Sequence, residues 1–223
     1  MACGAAHAPR KPPRPDAALP LIRLVERFDR SVYWIPNSAP ASFYLGDREG
    51  GGILINAPAF GASLLTELQA VAPLKFLFLP SRLGAGAAAA WRDVTACRTL
   101  AHAREAPALA VPVDVALERE HRFSRTIDFL PMSGRTAGSC ALRCRNLPGM
   151  VFFGPILEHG ADGWPCLIPH PDDHSWENRL IGALGLKDLA FDYAFCDNFD
   201  PASGKCGPGA SAGIATALER VLA

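Results

Sequence analysis

The chain has 223 residues, with 22 basic and 22 acidic side chains and 49% hydrophobic residues, a composition that suits one large globular domain rather than a fibre or a disordered chain. At this length enough apolar surface can be buried without disulfide staples. A net charge of zero supplies no surplus of Lys and Arg for a polyanion, and the most apolar run, residues 83–91, is far short of the ~20 residues that cross a bilayer, so nucleic acid and membrane are not expected partners.

Residues 1–20 are rich in Ala and Pro and carry Arg10, Lys11 and Arg14 with no apolar stretch behind them. They read as a disordered tail rather than a secretory signal, they lack the Ser content and amphipathic period of a transit peptide, and the expected location is the cytoplasm. Residues 21–223 form the expected domain. Ser31–Pro36 and Ala41–Gly46 are β-branched and aromatic runs separated by a turn, and Gly50-Gly51-Gly52 leads into Ile53-Leu54-Ile55, which together predict a three-stranded meander. Tyr33, Trp34, Phe43 and Tyr44 in these strands are expected to pack in the core.

Leu64, Leu65, Leu68 and Val71 follow helical spacing, with Ser63 as the expected cap and Pro73 just past the end. Lys75–Leu79 is a continuous apolar run of buried-strand type, and Ala87–Ala96 predicts a second helix. Strands are expected at Arg98–His102, Ala110–Val113, Arg125–Pro131, Cys140–Arg145, Met150–Phe153 and Asp192–Cys196. Ser175 stands at the N-cap position of a helix whose apolar stripe is Trp176, Leu180, Ile181 and Leu184, and a last helix spans Ala210 to Leu222.

The seven cysteines, Cys3, Cys97, Cys140, Cys144, Cys166, Cys196 and Cys206, include no Cys-x-x-Cys pair, so a zinc ribbon and a dithiol redox centre are not expected. Cys140 and Cys144 share a strand face about 13 Å apart, too far to bridge, and the thiols read as small buried hydrophobes. Ser139 is not in a Gly-x-Ser-x-Gly elbow, and Gly204-Lys205-Cys206-Gly207 lacks the order of a phosphate loop. His170-Pro-Asp-Asp-His174 has a chelating composition, but its place before the Ser175 helix favours a solvated loop whose Asp172 and Asp173 face the positive helix end. Trp164 and Trp176 flank it and are expected to cover that end.

Five phrases in order, Gly52–Pro58, Phe76–Arg82, Ser133–Ser139, Met150–Pro155 and Phe191–Asn198, make residues 30 to 223 resemble the metallo-β-lactamase fold superfamily. The resemblance implies an α/β, four-layer αβ/βα sandwich with its site at one edge of two sheets. The family's His-x-His-x-Asp-His motif falls here on Ser81, Leu83, Ala85 and Gly86. Its next metal histidine falls on Arg135, its bridging aspartate on Pro155 and its terminal histidine on Asn198. Zinc needs about four imidazole, thiolate or carboxylate donors, and none of the seven positions offers one. A guanidinium, which stays protonated at physiological pH, would in addition repel a divalent ion.

The expected function is therefore a non-catalytic pseudo-hydrolase, without metal or cofactor, that binds a small anionic ligand or a protein partner at the relic site. Arg135 and Arg82 would hold the anion, with Ser81, Asp197 and Asn198 around it. A competing expectation is that Arg135 pairs with Asp197 or another carboxylate and plugs the hole. The alternative function is a hydrolase using a relocated metal at His170, Asp172 and His174, or no metal.

Overall fold

A computed structural model describes residues 20–48, 50–118 and 121–222, so that all of the expected tail but Pro20 lies outside the described residues. The first sheet has seven strands in chain order: β1 (Ile22–Glu26), β2 (Arg30–Ile35), β3 (Ser42–Asp47), β4 (Gly51–Ile55), β5 (Leu74–Leu79), β6 (Arg98–His102) and β7 (Val115–Leu117). β1 to β4 pair antiparallel, so the expected meander gains one edge strand. From β4 to β7 the pairing is parallel; α1 (Ala62–Val71) and α2 (Ala88–Thr95) supply the first two crossovers, and a loop with one short 3-10 turn at Ala106–Ala108 the third.

The second sheet runs in the order β14-β11-β10-β9-β8, built from β8 (His121–Arg122), β9 (Ile127–Pro131), β10 (Cys140–Cys144), β11 (Met150–Gly154) and β14 (Tyr193–Cys196). β12 (Glu158–His159) and β13 (Pro165–Cys166) form a separate small pair, and α3 (Trp176–Leu184) and α4 (Ala210–Leu222) complete the chain.

Period-two alternation sorts the side chains into layers. Phe78, Phe129, Phe152 and Phe195 point between the sheets, where Phe152 and Phe195 stack at 4.7 Å and Phe78 meets Phe129 at 4.9 Å. Leu77 and Leu79, one step along β5, face outward under Leu64, Leu68 and Trp91 of the first two helices. Val151 and Phe153 face outward under Ala183, Ile214 and Leu218 of the last two. Helix, sheet, sheet, helix is the four-layer αβ/βα sandwich that the resemblance implies.

Local details depart from expectation for identifiable reasons. The strand expected at Ala110–Val113 lies instead at Val115–Leu117, because Pro112 has no N–H for a ladder. α1 starts from an extended Gly61 with no side-chain cap, which places Ser63 inside the first turn. Ser175 does cap α3, its Oγ accepting from the Asn178 N–H at 3.2 Å. In α3, however, Ile181 is 68% exposed while Arg179 is fully buried.

The six described cysteines are free, and burial pushes the Cys140 thiol up to about 12 and the Cys144 thiol up to about 11, which suppresses thiolate chemistry. Cys3 lies outside the described residues. Among the described residues no helix is long and apolar enough to cross a membrane.

Candidate functional site

β4, β5, β11 and β14 end at one edge of the sandwich, and backbone bonds stitch their following loops together. The Cys140 N–H donates to Pro80 O at 2.9 Å, the Asp197 N–H to Gly154 O at 2.9 Å, and the Ala41 N–H to Asp197 O at 2.6 Å. Asn56, directly after β4, adopts a left-handed φ of 61° and is buried. Its Nδ2 donates to Ala41 O at 2.8 Å and to Asp197 Oδ1 at 2.7 Å, joining the first sheet to the last strand of the second. The loop after β5 passes so close that a Cβ on Gly84 would lie 1.8 Å from the Asn56 amide oxygen.

Four of the seven positions where the resemblance puts metal ligands, Leu83, Arg135, Pro155 and Asn198, line a single pocket of about 190 Å3 at this edge, together with Pro40, Glu158, His170 and Asp197. Arg135 is 12% exposed, and its Nη1 lies 3.1 Å from Asp172 Oδ1 and 3.7 Å from Asp173 Oδ1. Its ion pairs are thus with Asp172 and Asp173, not with Asp197. Asn198 Oδ1 accepts from the His159 N–H at 2.9 Å, which ties the end of β14 to β12.

The His170–His174 segment is solvated only in part, as its place before the Ser175 helix leads one to expect: Pro171, Asp172 and His174 are exposed, whereas His170 and Asp173 turn inward. Asp173 is fixed by Arg179, whose Nη1 donates to it at 2.8 Å and to Ile168 O at 2.8 Å, while Nη2 donates to Ile156 O at 2.7 Å. The His170 ring is hydrogen-bonded to Glu158. A buried guanidinium has to be met by carboxylate and carbonyl oxygens, and this requirement draws the loop onto the pocket. Gly134 makes the approach feasible, since at φ +136° its Cβ would lie 2.6 Å from the Arg179 nitrogen.

Two carboxyl groups shift in opposite directions. The Arg135 guanidinium hydrogen-bonded to Asp172 holds that carboxyl below its ordinary range. Burial pushes Asp197 up to about 7, with Glu158 raising it further and the Asn56 bond and Arg135 charge working against the shift.

Arg82 does not turn into the pocket. Its Nη1 lies 3.8 Å from Glu105 Oε1, and the side chain is 43% exposed. Ser81 is buried as a cap for the next turn, its Oγ accepting from the Leu83 N–H at 3.2 Å. The relocated metal centre does not assemble either, because His170 is committed to Glu158 and Asp172 to Arg135. Among the described residues no group of three or more His, Cys, Asp or Glu is arranged to hold a metal ion. The donor chemistry present does not fit the family's zinc.

Glu105, which no motif marks, clamps the two loops that carry the ligand positions. Fully buried, it accepts from the Arg82 N–H with Oε2 and from the Gly138 N–H with Oε1, both at 2.7 Å. Glu105→Ala strands one buried and one part-buried N–H donor and is expected to cost about 1–3 kcal/mol of stability, read from the midpoint of urea unfolding; a loss below about 0.5 kcal/mol would show that the clamp carries nothing.

No family model matches the chain, and no curated protein matches it. Solved structures do. A Cronobacter sakazakii metallo-β-lactamase described by its HARLDQ motif superposes with a TM-score of 0.65 at 14% identity, over 92% of this chain and 94% of that one. A subclass B3 enzyme of Bradyrhizobium japonicum gives 0.61 at 15% identity, over 92% and 93%. A class B3 di-zinc enzyme from an Alaskan soil metagenome gives 0.61 at 15% identity, over 95% and 96%. The chain thus has the metallo-β-lactamase fold, with a salt-bridged pocket at the edge where the resemblance puts a metal site.

Proposed function

We propose that this chain is a metal-free, non-hydrolytic version of the metallo-β-lactamase fold whose relic pocket takes a small anionic ligand on Arg135. The observation that carries this reading is the Arg135 guanidinium itself, lining the pocket where the resemblance puts a metal-bound imidazole. Its strongest partner, Asp172, is 70% exposed, and an ion pair so open to solvent holds weakly. Asp173 is shared with the buried Arg179. A ligand carboxylate or phosphate can displace Asp172 and receive the two-pronged contact that a guanidinium offers.

The pocket is small, about 190 Å3 against the ~300 Å3 at which drug-sized ligand sites begin, which favours an acid of a few carbons. Free thiols throughout the described residues support the cytoplasm as the setting.

Calorimetric titration with small mono- and dicarboxylates tests the reading. The wild type is expected to bind at least one of them, and Arg135→Ala to weaken that binding about tenfold or more, the worth of one charge-assisted contact. Equal affinity in the variant overturns it, as would stoichiometric zinc in protein purified without chelator.

A second reading, metal-free hydrolysis, draws on Asp197, which titrates near neutrality in the same pocket as His170 and Glu158. Turnover of ester, thioester or lactam substrates that survives chelator and is lost in Asp197→Asn would favour it.

A further inference from the structure

The outer face of the second sheet carries a cluster of arginines separate from the relic pocket. In the sheet register Asp128 of β9 stands opposite Arg143 of β10 on one side and opposite Arg122 of β8 on the other. Arg145 follows Arg143 at the period-two spacing that puts both on one face. With Leu130 and Leu189 as the apolar wall, these side chains line an open pocket of about 280 Å3.

Its charges do not balance. Asp128 is already engaged, since its Oδ2 lies 3.0 Å from Arg145 Nε, and Arg145 Nη2 donates to Arg125 O at 2.6 Å. Arg122 and Arg143 have no ion pair or side-chain hydrogen bond among the described residues, and Arg143 Nε is buried without an acceptor. Among the described residues that line the pocket, three guanidinium groups against one carboxylate leave two positive charges, on a chain whose formal net charge is zero. A desolvated N–H without an acceptor is a cost that native structures seldom leave unmet.

We propose that Arg122, Arg143 and Arg145 form a binding site for a doubly charged phosphate group, inorganic phosphate or a phosphomonoester. The guanidinium forks match the spacing of phosphate oxygens, two negative charges match the local surplus, and the open side leaves room for the rest of an ester. This site is independent of the reading of the relic pocket.

The test uses the full chain in an Arg135→Ala background, so that any phosphate held in the relic pocket is removed, and titrates inorganic phosphate by calorimetry at fixed ionic strength set with chloride. Saturable binding is expected, weakened about tenfold by Arg143→Gln and again by Arg122→Gln, with Arg143→Lys, which keeps the charge without the fork, in between. Because neither arginine holds a structural bond and Arg143 Nε is buried without an acceptor, the variants should unfold no lower than the parent without phosphate. Absence of saturable binding, or the same affinity in the Arg122→Gln/Arg143→Gln double variant, overturns the proposal; so does a mere ionic-strength effect that chloride reproduces.

Discussion

Arg179→Met is expected to destabilise the protein by about 3–5 kcal/mol, the usual cost of removing one partner from a buried ion pair. The side chain is fully buried and directs its N–H groups at Asp173, Ile156 O and Ile168 O, with Glu158 Oε1 at 3.9 Å. Methionine fills much of the volume but takes the hydrogen-bonded cation from Asp173, itself 6% exposed, leaving it only the longer 3.7 Å pair with Arg135, and strips Ile156 O and Ile168 O of their donors. For a chain of this size the melting temperature should fall by on the order of 10 °C. The double variant Arg179→Met/Asp173→Asn should lose less than the sum of the single losses, because the second change removes the charge that has lost that bond. Additive losses, or an Arg179→Met cost under about 1 kcal/mol, would mean that the pair does not hold the loop. A change at Arg179 also acts on the pocket, since Asp173 lies 3.7 Å from the Arg135 guanidinium.

Asp197 should make the protein less stable as pH rises through the range from about 4 to about 7. Its carboxyl releases its proton near pH 4 in the unfolded chain but only at about 7 in the fold, so over this interval the folded state binds the extra proton and stability falls with rising pH. Above pH 7 both states are ionised and the contribution is constant. Asp197→Asn removes the titration while keeping an oxygen for the Asn56 amide, whose Nδ2 donates to Asp197 at 2.7 Å. Relative to the wild type, the variant is expected to gain about 2–3 kcal/mol between pH 5 and pH 8, which paired urea titrations would read free of the other titrating groups. No gain at pH 8 would place the carboxylate in an environment that accepts its charge. The same titration bears on ligand preference, because below pH 7 the neutral Asp197 repels no anion from Arg135.

The layers could be foreseen because their causes are local. KFLFL announces a buried strand, its alternation sends Phe78 to one core and Leu77 and Leu79 to another, and Ser175 marks a helix start that Asn178 confirms. That Ser81, Leu83, Ala85, Gly86, Arg135, Pro155 and Asn198 include no imidazole, thiolate or carboxylate is equally plain in the sequence. Arg179 misled for the opposite reason. Helical periodicity assigned Ile181 to the buried stripe, yet the core side of α3 is shared by Trp176, Leu180 and Ala183 with a guanidinium that is met by oxygens from residues 156, 168 and 173.

What the sequence by itself determined is thus the succession of strands and helices and the absence of zinc-ligand chemistry at the positions the resemblance marks, since both follow from residue type and spacing of a few positions. Only the tertiary structure decided which charges meet. Asn56 reaches Asp197 across 141 positions, Glu105 reaches Gly138 across 33, and Arg82 goes to Glu105 instead of the pocket. Electrostatic pairing depends on distance through space and on how much water is excluded, and both are set by the packing of the two sheets rather than by neighbours along the chain.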